Sequence, residues 1–457
     1  MESHAQATED YLIEGLSFKL APGASYVTNR RSVSFYPQGG NSYASNGVKV
    51  IRIALTGEGW LDPSTIRVMF DLNNITTNTD LTKEKELRPV GGPWSFFRRM
   101  RLMAGGTVIE DIDNYARTHQ QFHTLVSPVK RQNDTIEGFG IEGDILRCRG
   151  AHPEGLPIQT ATNYRGIPRG KAMTVLFKPL SGLFSQQKYI PLRYCPLILE
   201  FEIVNDVNDP VIYSTFQSST STADFSIDNC SNEWMISQVQ LKCDLVTLDN
   251  GLENEYVAHL LSGKSLPINY DTYISQMQTI ADYNYSCNIT RSLTRLKSVF
   301  VNFDGQGIGE GVPGTLPQSG AEVRKYFNDF YHPSGDWAVQ FQDKEIEFQI
   351  QIGSKMFPEY PIRSVQEAFT QLVKCLGINN SAFHGVDVYP LEYRSHKFIV
   401  GIDTEKILEA GFTGINTKAG DLMVIKVKQA SGIAQVNLCN KMYITLHSDY
   451  ILNIRDS

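Results

Sequence analysis

Gly105-Gly106-Thr107-Val108-Ile109-Glu110-Asp111-Ile112 leads through Asn114-Tyr115-Ala116 to Phe122 and Leu125. Later in the chain, Ile350-Gln351-Ile352-Gly353-Ser354-Lys355-Met356-Phe357-Pro358 leads through Ser364-Val365-Gln366-Glu367-Ala368 to Phe369 and Leu372. Placing Gly106 on Gly353 puts Phe122 on Phe369 and Leu125 on Leu372, a constant offset of 247 (353 − 106 = 247). A strand-to-helix passage that occurs twice marks a duplicated unit, and the remaining sequence is organised around it.

Outward from that passage, alternation identifies strands. In Ile66-Arg67-Val68-Met69-Phe70-Asp71-Leu72 every second residue is apolar, and Glu345-Ile346-Glu347-Phe348-Gln349-Ile350-Gln351-Ile352 pairs an apolar face with a wet one. Leu199 to Ile203, Ser237 to Lys242 and Met442 to Leu446 repeat the pattern. Val48 to Leu55 and Arg295 to Phe303 read as strands buried on both faces. Helices are few: Asn114 to Val126, Gly251 to Ser262, and Ser364 to Leu376, where Ser364-Val365-Gln366-Glu367 fits a capping box. Tyr115, Thr118, Phe122 and Leu125 form a core-facing stripe on the first. Strand-rich halves with one short helix each imply two antiparallel sandwiches.

The chain has 457 residues, enough for two domains of roughly 200 residues each. The expected division is an N-terminal segment 1–29, a first sandwich 30–249, a helical linker 250–266 and a second sandwich 267–457. Asp244 can be laid on Asp449 near the ends of the two halves. The excess length of the first half is expected as loops around Gln132 to Gly170 and Asn205 to Asn232. Another long loop is expected at Gly305 to Gly314, and such loops face outward.

A net charge of −7 argues against broad phosphate neutralisation, and Met1 to Asn29 carries one Lys and no Arg. Sequence-specific nucleic-acid binding is therefore not expected. The seven cysteines, Cys148, Cys195, Cys230, Cys243, Cys287, Cys375 and Cys439, include no CxxC pair, so reduced and mostly buried thiols are expected. The opening residues lack a secretory pattern, and no apolar run approaches the roughly 20 residues that span a bilayer.

Candidate chemistry is thin. His119 and His123 stand at i and i+4 on a helix, the spacing that lets two imidazoles share a metal, but Gln120 occupies the place where a metalloprotease needs Glu. Gly305 to Gly314 lacks the lysine that ends a P-loop and reads as an ordinary surface loop. Arg98-Arg99-Met100-Arg101 is the densest basic cluster, and strand alternation directs its arginines at neighbouring carboxylates. Glu345 and Glu347 have the spacing of a strand's wet face, not of a glycosidase pair. The chain has no His-x-His and no GxSxG elbow, and no Cys is read as an activated nucleophile. No catalytic, cofactor-binding or metal-binding residue is expected, and the protein is not expected to be an enzyme.

The run Gly91-Gly92-Pro93-Trp94-Ser95-Phe96-Phe97-Arg98-Arg99-Met100-Arg101-Leu102, with Gly105 to Tyr115 after it, resembles the double jelly-roll major capsid proteins of polinton-like viruses, virophages and adintoviruses. So do Gln349 to Pro361 with Glu367 and the helix beyond, Phe398 to Asp403, and Gly414 to Asp421. The resemblance extends over residues 30 to 457. It implies an all-β chain of two tandem eight-stranded antiparallel jelly rolls with short helices in each. It further implies a homotrimer of pseudo-hexagonal outline that tiles the icosahedral capsid of a virion. Neighbouring capsomers, penton and minor capsid proteins, and an inner membrane are the implied partners, with the N-terminal segment facing inward. A jelly-roll lectin is the alternative, binding glycans through Tyr331, His332 and Trp337 or Trp234.

Overall fold

The computed structural model describes residues 26–77, 86–89, 91–139, 166–211, 230–280, 282–304, 330–333, 346–378, 385–395, 397–405, 414–418, 422–429 and 441–455. Its first half supplies β1 (Val27–Phe35), β2 (Val50–Leu55), β3 (Trp60–Asn74), β4 (Phe97–Ala104), β5 (Thr107–Ile112), β6 (Ala172–Phe177), β7 (Leu197–Ile203) and β8 (Trp234–Leu248). The second half supplies β9 (Leu266–Thr279), β10 (Asn284–Ile289), β11 (Leu296–Asp304), β12 (Ile346–Ile352), β13 (Lys355–Ile362), β14 (Ile399–Asp403), β15 (Met423–Gln429) and β16 (Lys441–Ile454).

The strands order as β1-β8-β3-β6 and β2-β7-β4-β5 in the first half, and as β9-β16-β11-β14 and β10-β15-β12-β13 in the second. Adding eight to each strand number of the first half gives the second, so connectivity is duplicated as well as sequence. Neighbours in all four sheets are antiparallel. Two such sheets packed face to face make a jelly roll, and the chain is two of them in tandem.

Alternation explains most of the burial. In β3, Ile66, Val68, Phe70 and Leu72 are fully buried while Arg67, Met69, Asp71 and Asn73 are half-buried. β12 repeats this with Ile346, Phe348, Ile350 and Ile352 inside. In β11, every residue from Ser298 to Phe303 is buried, because a second layer covers its other face. β2 departs from the expectation of burial on both faces. Ile51, Ile53 and Leu55 are buried but Val50 and Arg52 are exposed, so one face of β2 packs on the core and the other stays open.

The longer helices among the described residues are α1 (Tyr115–Leu125), α2 (Pro128–Glu137), α3 (Asn250–Leu261) and α4 (Val365–Cys375). On α4, Ser364 Oγ accepts from Glu367 N–H at 3.2 Å. Glu367 Oε2 reaches back to Arg363 N–H at 2.6 Å, one residue beyond the position of a standard capping box. α2 lies where only loop was expected. Its polar sequence carries no apolar stripe, and it starts from a Ser127 cap followed by Pro128.

The constant offset of 247 is corrected. The hairpin turns match when Gly105, not Gly106, lies on Gly353, and both Gly105 (φ +54°) and Gly353 (φ +60°) take the left-handed conformation the turn requires. The helices begin 250 residues apart (365 − 115 = 250) because β13 has eight residues and β5 has six. Leu372, not Phe369, is therefore the counterpart of Phe122. Two expected boundaries also move: Val27 already belongs to β1, ahead of residue 30, and Leu266 opens β9, so it is strand and not linker.

Candidate functional site

The most developed polar arrangement lies on the seam between the two rolls. α1 belongs to the first roll but is covered on both sides. Tyr115 belongs to the first core and Thr118 is buried, while Phe122 and Leu125 pack on the second. The stripe read from the sequence as one core face thus serves two cores. Phe122 sits between Tyr273 of β9 (ring centroids 4.5 Å apart) and Phe300 of β11 (5.2 Å).

Beside it, Arg117 is 1% exposed. Its Nε donates to Asn302 Oδ1 at 2.6 Å and its Nη2 to the Phe303 carbonyl at 2.8 Å. The guanidinium lies 4.4 Å from the Tyr443 ring centroid and 4.9 Å from that of Phe330. Asn302 Nδ2 in turn donates to Gln121 Oε1 at 2.6 Å. A buried cation is tolerable only with such hydrogen-bond partners. Arg131 of α2 adds another link, donating to the Thr124 carbonyl at 2.9 Å and pairing with the Asp387 carboxylate.

Lower on the seam, β5 and the loop after β6 abut β9. Tyr270 OH donates to the Ile109 carbonyl at 3.2 Å. A Cβ on Gly182 would lie 1.2 Å from the Asp271 carbonyl oxygen, so only glycine fits there. Next to it the Glu110 carboxylate, 2% exposed, accepts from Gly182 N–H at 2.8 Å and from the Ser181 hydroxyl. Burial pushes its carboxyl up to about 7 even against those bonds.

On β9 and β16, Asp271 stands directly across from Asp449. Lys297 Nζ lies 3.4 Å from Asp271, 3.6 Å from Asp449 and 3.7 Å from Glu405, and His447 Nε2 lies 3.4 Å from Asp271. The sequence equivalence of Asp244 and Asp449 has a structural counterpart. Each lies on the last strand of its roll opposite the first strand, Asp244 facing Ser32 and taking hydrogen bonds from Arg30 and Ser32.

The histidine pair performs packing. His119 stacks on Trp94 with centroids 4.0 Å apart, and its Nε2 lies 3.1 Å from the Lys178 carbonyl oxygen. Burial pushes its pKa down to about 3, so it is neutral. His123 Nε2 is 3.3 Å from Asp134 Oδ2. Gln120, where a metalloprotease would need Glu, accepts from Trp94 Nε1 at 3.0 Å. A cavity of about 220 Å³ borders these side chains. Among the described residues no group of three or more His, Cys, Asp or Glu is placed to hold a metal.

The basic cluster is spent on cross-strand carboxylates. Arg99 binds Asp111 through two bonds of 2.7 and 2.6 Å, Arg101 pairs with Glu200, and Arg98 lies 3.6 Å from Glu202 and 3.7 Å from Asp113. Glu347 faces Lys428 at 3.8 Å across the wet side of β12, whereas Glu345 lies outside the described residues. Trp234 (3% exposed) and His332 (1%) are buried, which removes two of the aromatic positions a glycan-binding loop would need. Trp337, the Gly305 to Gly314 loop, Cys148 and Cys439 lie outside the described residues. Cys195, Cys243, Cys287 and Cys375 are free thiols.

Sequence reasoning missed Arg117, Gln121, Asn302 and Glu110. One signal existed: Asn302 is a polar residue in a run otherwise read as buried on both faces, and such a residue requires a partner.

Similarity to solved structures extends along the whole chain. PBCV-1 VP54, fitted into a reconstruction of the virophage Sputnik, matches with a TM-score of 0.58 and 12% identity, covering 96% of this chain and 97% of that one. A chain of the Sputnik virophage structure matches at 0.57 and 12% identity, covering 98% and 91%. The Faustovirus major capsid protein matches at 0.53 and 8% identity, covering 97% and 94%. No family model matches the chain, and neither does any curated protein sequence. The chain therefore has the double jelly-roll fold that the Faustovirus major capsid protein and the PBCV-1 and Sputnik chains share.

Proposed function

We propose that this chain is a viral major capsid protein, structural and not enzymatic, whose homotrimers form pseudo-hexagonal capsomers of an icosahedral shell. The fold shared over nearly the full length with viral capsid chains supports the class of function. One observation carries the self-assembly: the contact between the two rolls is used once inside the chain and leaves its counterparts open.

α1 is covered on all sides, whereas its equivalent α4 keeps Gln366, Glu367 and Thr370 exposed. β11 is buried on both faces under α1, whereas the equivalent β3 presents Arg67, Met69, Asp71 and Asn73 half-buried, beside a β1 that is exposed along most of its length. The open side of the second roll and the open side of the first are thus the two halves of a contact the chain already makes. A second copy can repeat that contact head to tail, and a repeated contact of this kind closes into a ring when the rotation permits. Three copies would bring six rolls together.

In this reading the first roll begins at Val27 and the second at Leu266, with α3 between them. The N-terminal segment, expected as residues 1–29, would face the shell interior, toward a membrane or minor capsid proteins, while neighbouring capsomers and penton proteins contact the sides. Among the described residues no helix is long and apolar enough to cross a membrane. Light scattering during size exclusion at micromolar concentration tests the proposal. A species near three times 51.3 kDa is expected, and a stable monomer overturns it.

A further inference from the structure

Two sets of carboxylates sit where the rolls touch, one buried with no ion pair among the described residues and the other a facing pair. Glu110 projects from β5 into the space between the loop at Ser181-Gly182 and β9. Its neighbours are the Ser181 hydroxyl, the Gly182 and Leu183 N–H groups, the buried Thr272 hydroxyl and the phenols of Tyr115, Tyr270 and Tyr273. Among the described residues it forms no ion pair.

The second set is Asp271 and Asp449, cross-strand partners on β9 and β16. Around them stand Lys297 and Arg295 at the start of β11, His447 on β16 and Glu405 after β14. Asp449 Oδ2 is buried and accepts no hydrogen bond among the described residues, with Arg295 Nε at 4.0 Å. Two facing carboxylates share a proton more readily than they both ionise. Asp271 connects the two sets, because its carbonyl oxygen is the atom pressed against Gly182.

We propose that the seam is a proton-controlled lock: protons taken up at Glu110 and by the Asp271–Asp449 pair tighten the first roll against β9, and their loss loosens it. The shifts agree in sign. Burial raises Glu110 to about 7 from its ordinary 4.5, so the folded state binds that proton more tightly than the unfolded chain. Its contribution therefore grows as pH falls from about 7 toward 4.5. Burial, then the neighbouring Asp271, raises Asp449 as well. Burial works against the Asp271 charge, but His447, Asp449 and Lys297 hold it well below the usual carboxylate range, so the pair binds one proton early and the other late. His119 and His332, both lowered to about 3 by burial, act oppositely below pH 6.5, so the lock must be read as a difference between proteins.

The test is thermal unfolding of the wild type, Glu110→Gln and Asp449→Asn between pH 8.5 and 5, with hydrogen exchange followed in β9 and corrected for intrinsic rate. Each amide variant mimics the protonated acid. The wild type is expected to gain on Glu110→Gln by roughly 2–5 °C as the medium is acidified, with protection of residues 266–279 rising in parallel. Asp449→Asn should give a smaller difference of the same sign. Gaps between wild type and variants that stay constant across this range overturn the lock. So does a pH-dependent gap without any change in β9, because the protons would then act elsewhere. Neither readout depends on whether the protein assembles, so failure here is separable from failure of the capsid reading. If Glu110→Gln does not fold, Asp449→Asn decides by the same two criteria.

Discussion

Arg117 of the first roll and Asn302 of the second are 185 positions apart in the chain and 2.6 Å apart in the fold. Between them runs the boundary that makes two sandwiches one protein. The guanidinium satisfies Asn302 and the Phe303 carbonyl together, which a single hydroxyl or amide could not do from the same helix position.

Replacing Arg117 with Met would take the buried donor away from Asn302 Oδ1 and leave the Phe303 carbonyl with the Tyr331 N–H at 3.0 Å. A loss of about 3–5 kcal/mol in unfolding free energy is expected. Arg117→Lys should recover less than half of it, because an ammonium group cannot reproduce the planar fork. Denaturant unfolding of the three proteins checks the order.

Gly182→Ala places a methyl group on the Asp271 carbonyl oxygen, and backbone on both sides leaves little room to move. A loss of about 3 kcal/mol or more is expected, visible as a lower melting temperature or as insoluble protein. Gly385→Ala is the control. A Cβ there meets no atom within 4 Å, and its effect should stay within about 0.5 kcal/mol.

His119 sets an acid limit. Its folded pKa of about 3 lies below the ordinary 6.5, so the stability it contributes is complete above pH 6.5 and is lost as pH falls toward 3. His119→Phe keeps an aromatic ring against Trp94 and removes the titration. The acid branch of its melting curve should be shallower than that of the wild type, measured from pH 6.5 to 3.5.

Thr370→Arg alters the exposed side of α4, where the Thr370 hydroxyl donates to the Gln366 carbonyl of the same helix at 3.0 Å. Stability should change by about 0.5 kcal/mol or less. Self-association should fall, with light scattering reporting a shift toward 51.3 kDa.

Much of this architecture is legible in the sequence because strands with one wet side announce themselves. Glu347, Gln349 and Gln351 could only alternate with Ile346, Phe348, Ile350 and Ile352 in a half-exposed strand. Offsets were less secure, since a β-strand can lengthen by two residues without altering which side chains face inward. That is why β13 displaces α4 from its expected match while both hairpins keep their alternation. The seam was the least legible part. Arg117 looks like a surface residue of its helix and Asn302 like a lone polar residue in a buried strand, and only the packing of one roll on the other makes them partners. α2 escaped detection for a related reason: what holds it is a cap and the Arg131 bonds, and neither produces a periodic pattern.

In each roll the last strand lies beside the first, β8 against β1 and β16 against β9. The ends of such a unit are neighbours in space, so a second copy can be spliced after the first without rethreading any strand. A connector as short as α3, from Asn250 to Leu261, is enough to join them. Tandem copying of this unit is topologically free, and the divergence between the two copies is then at liberty to accumulate on the surfaces where they meet.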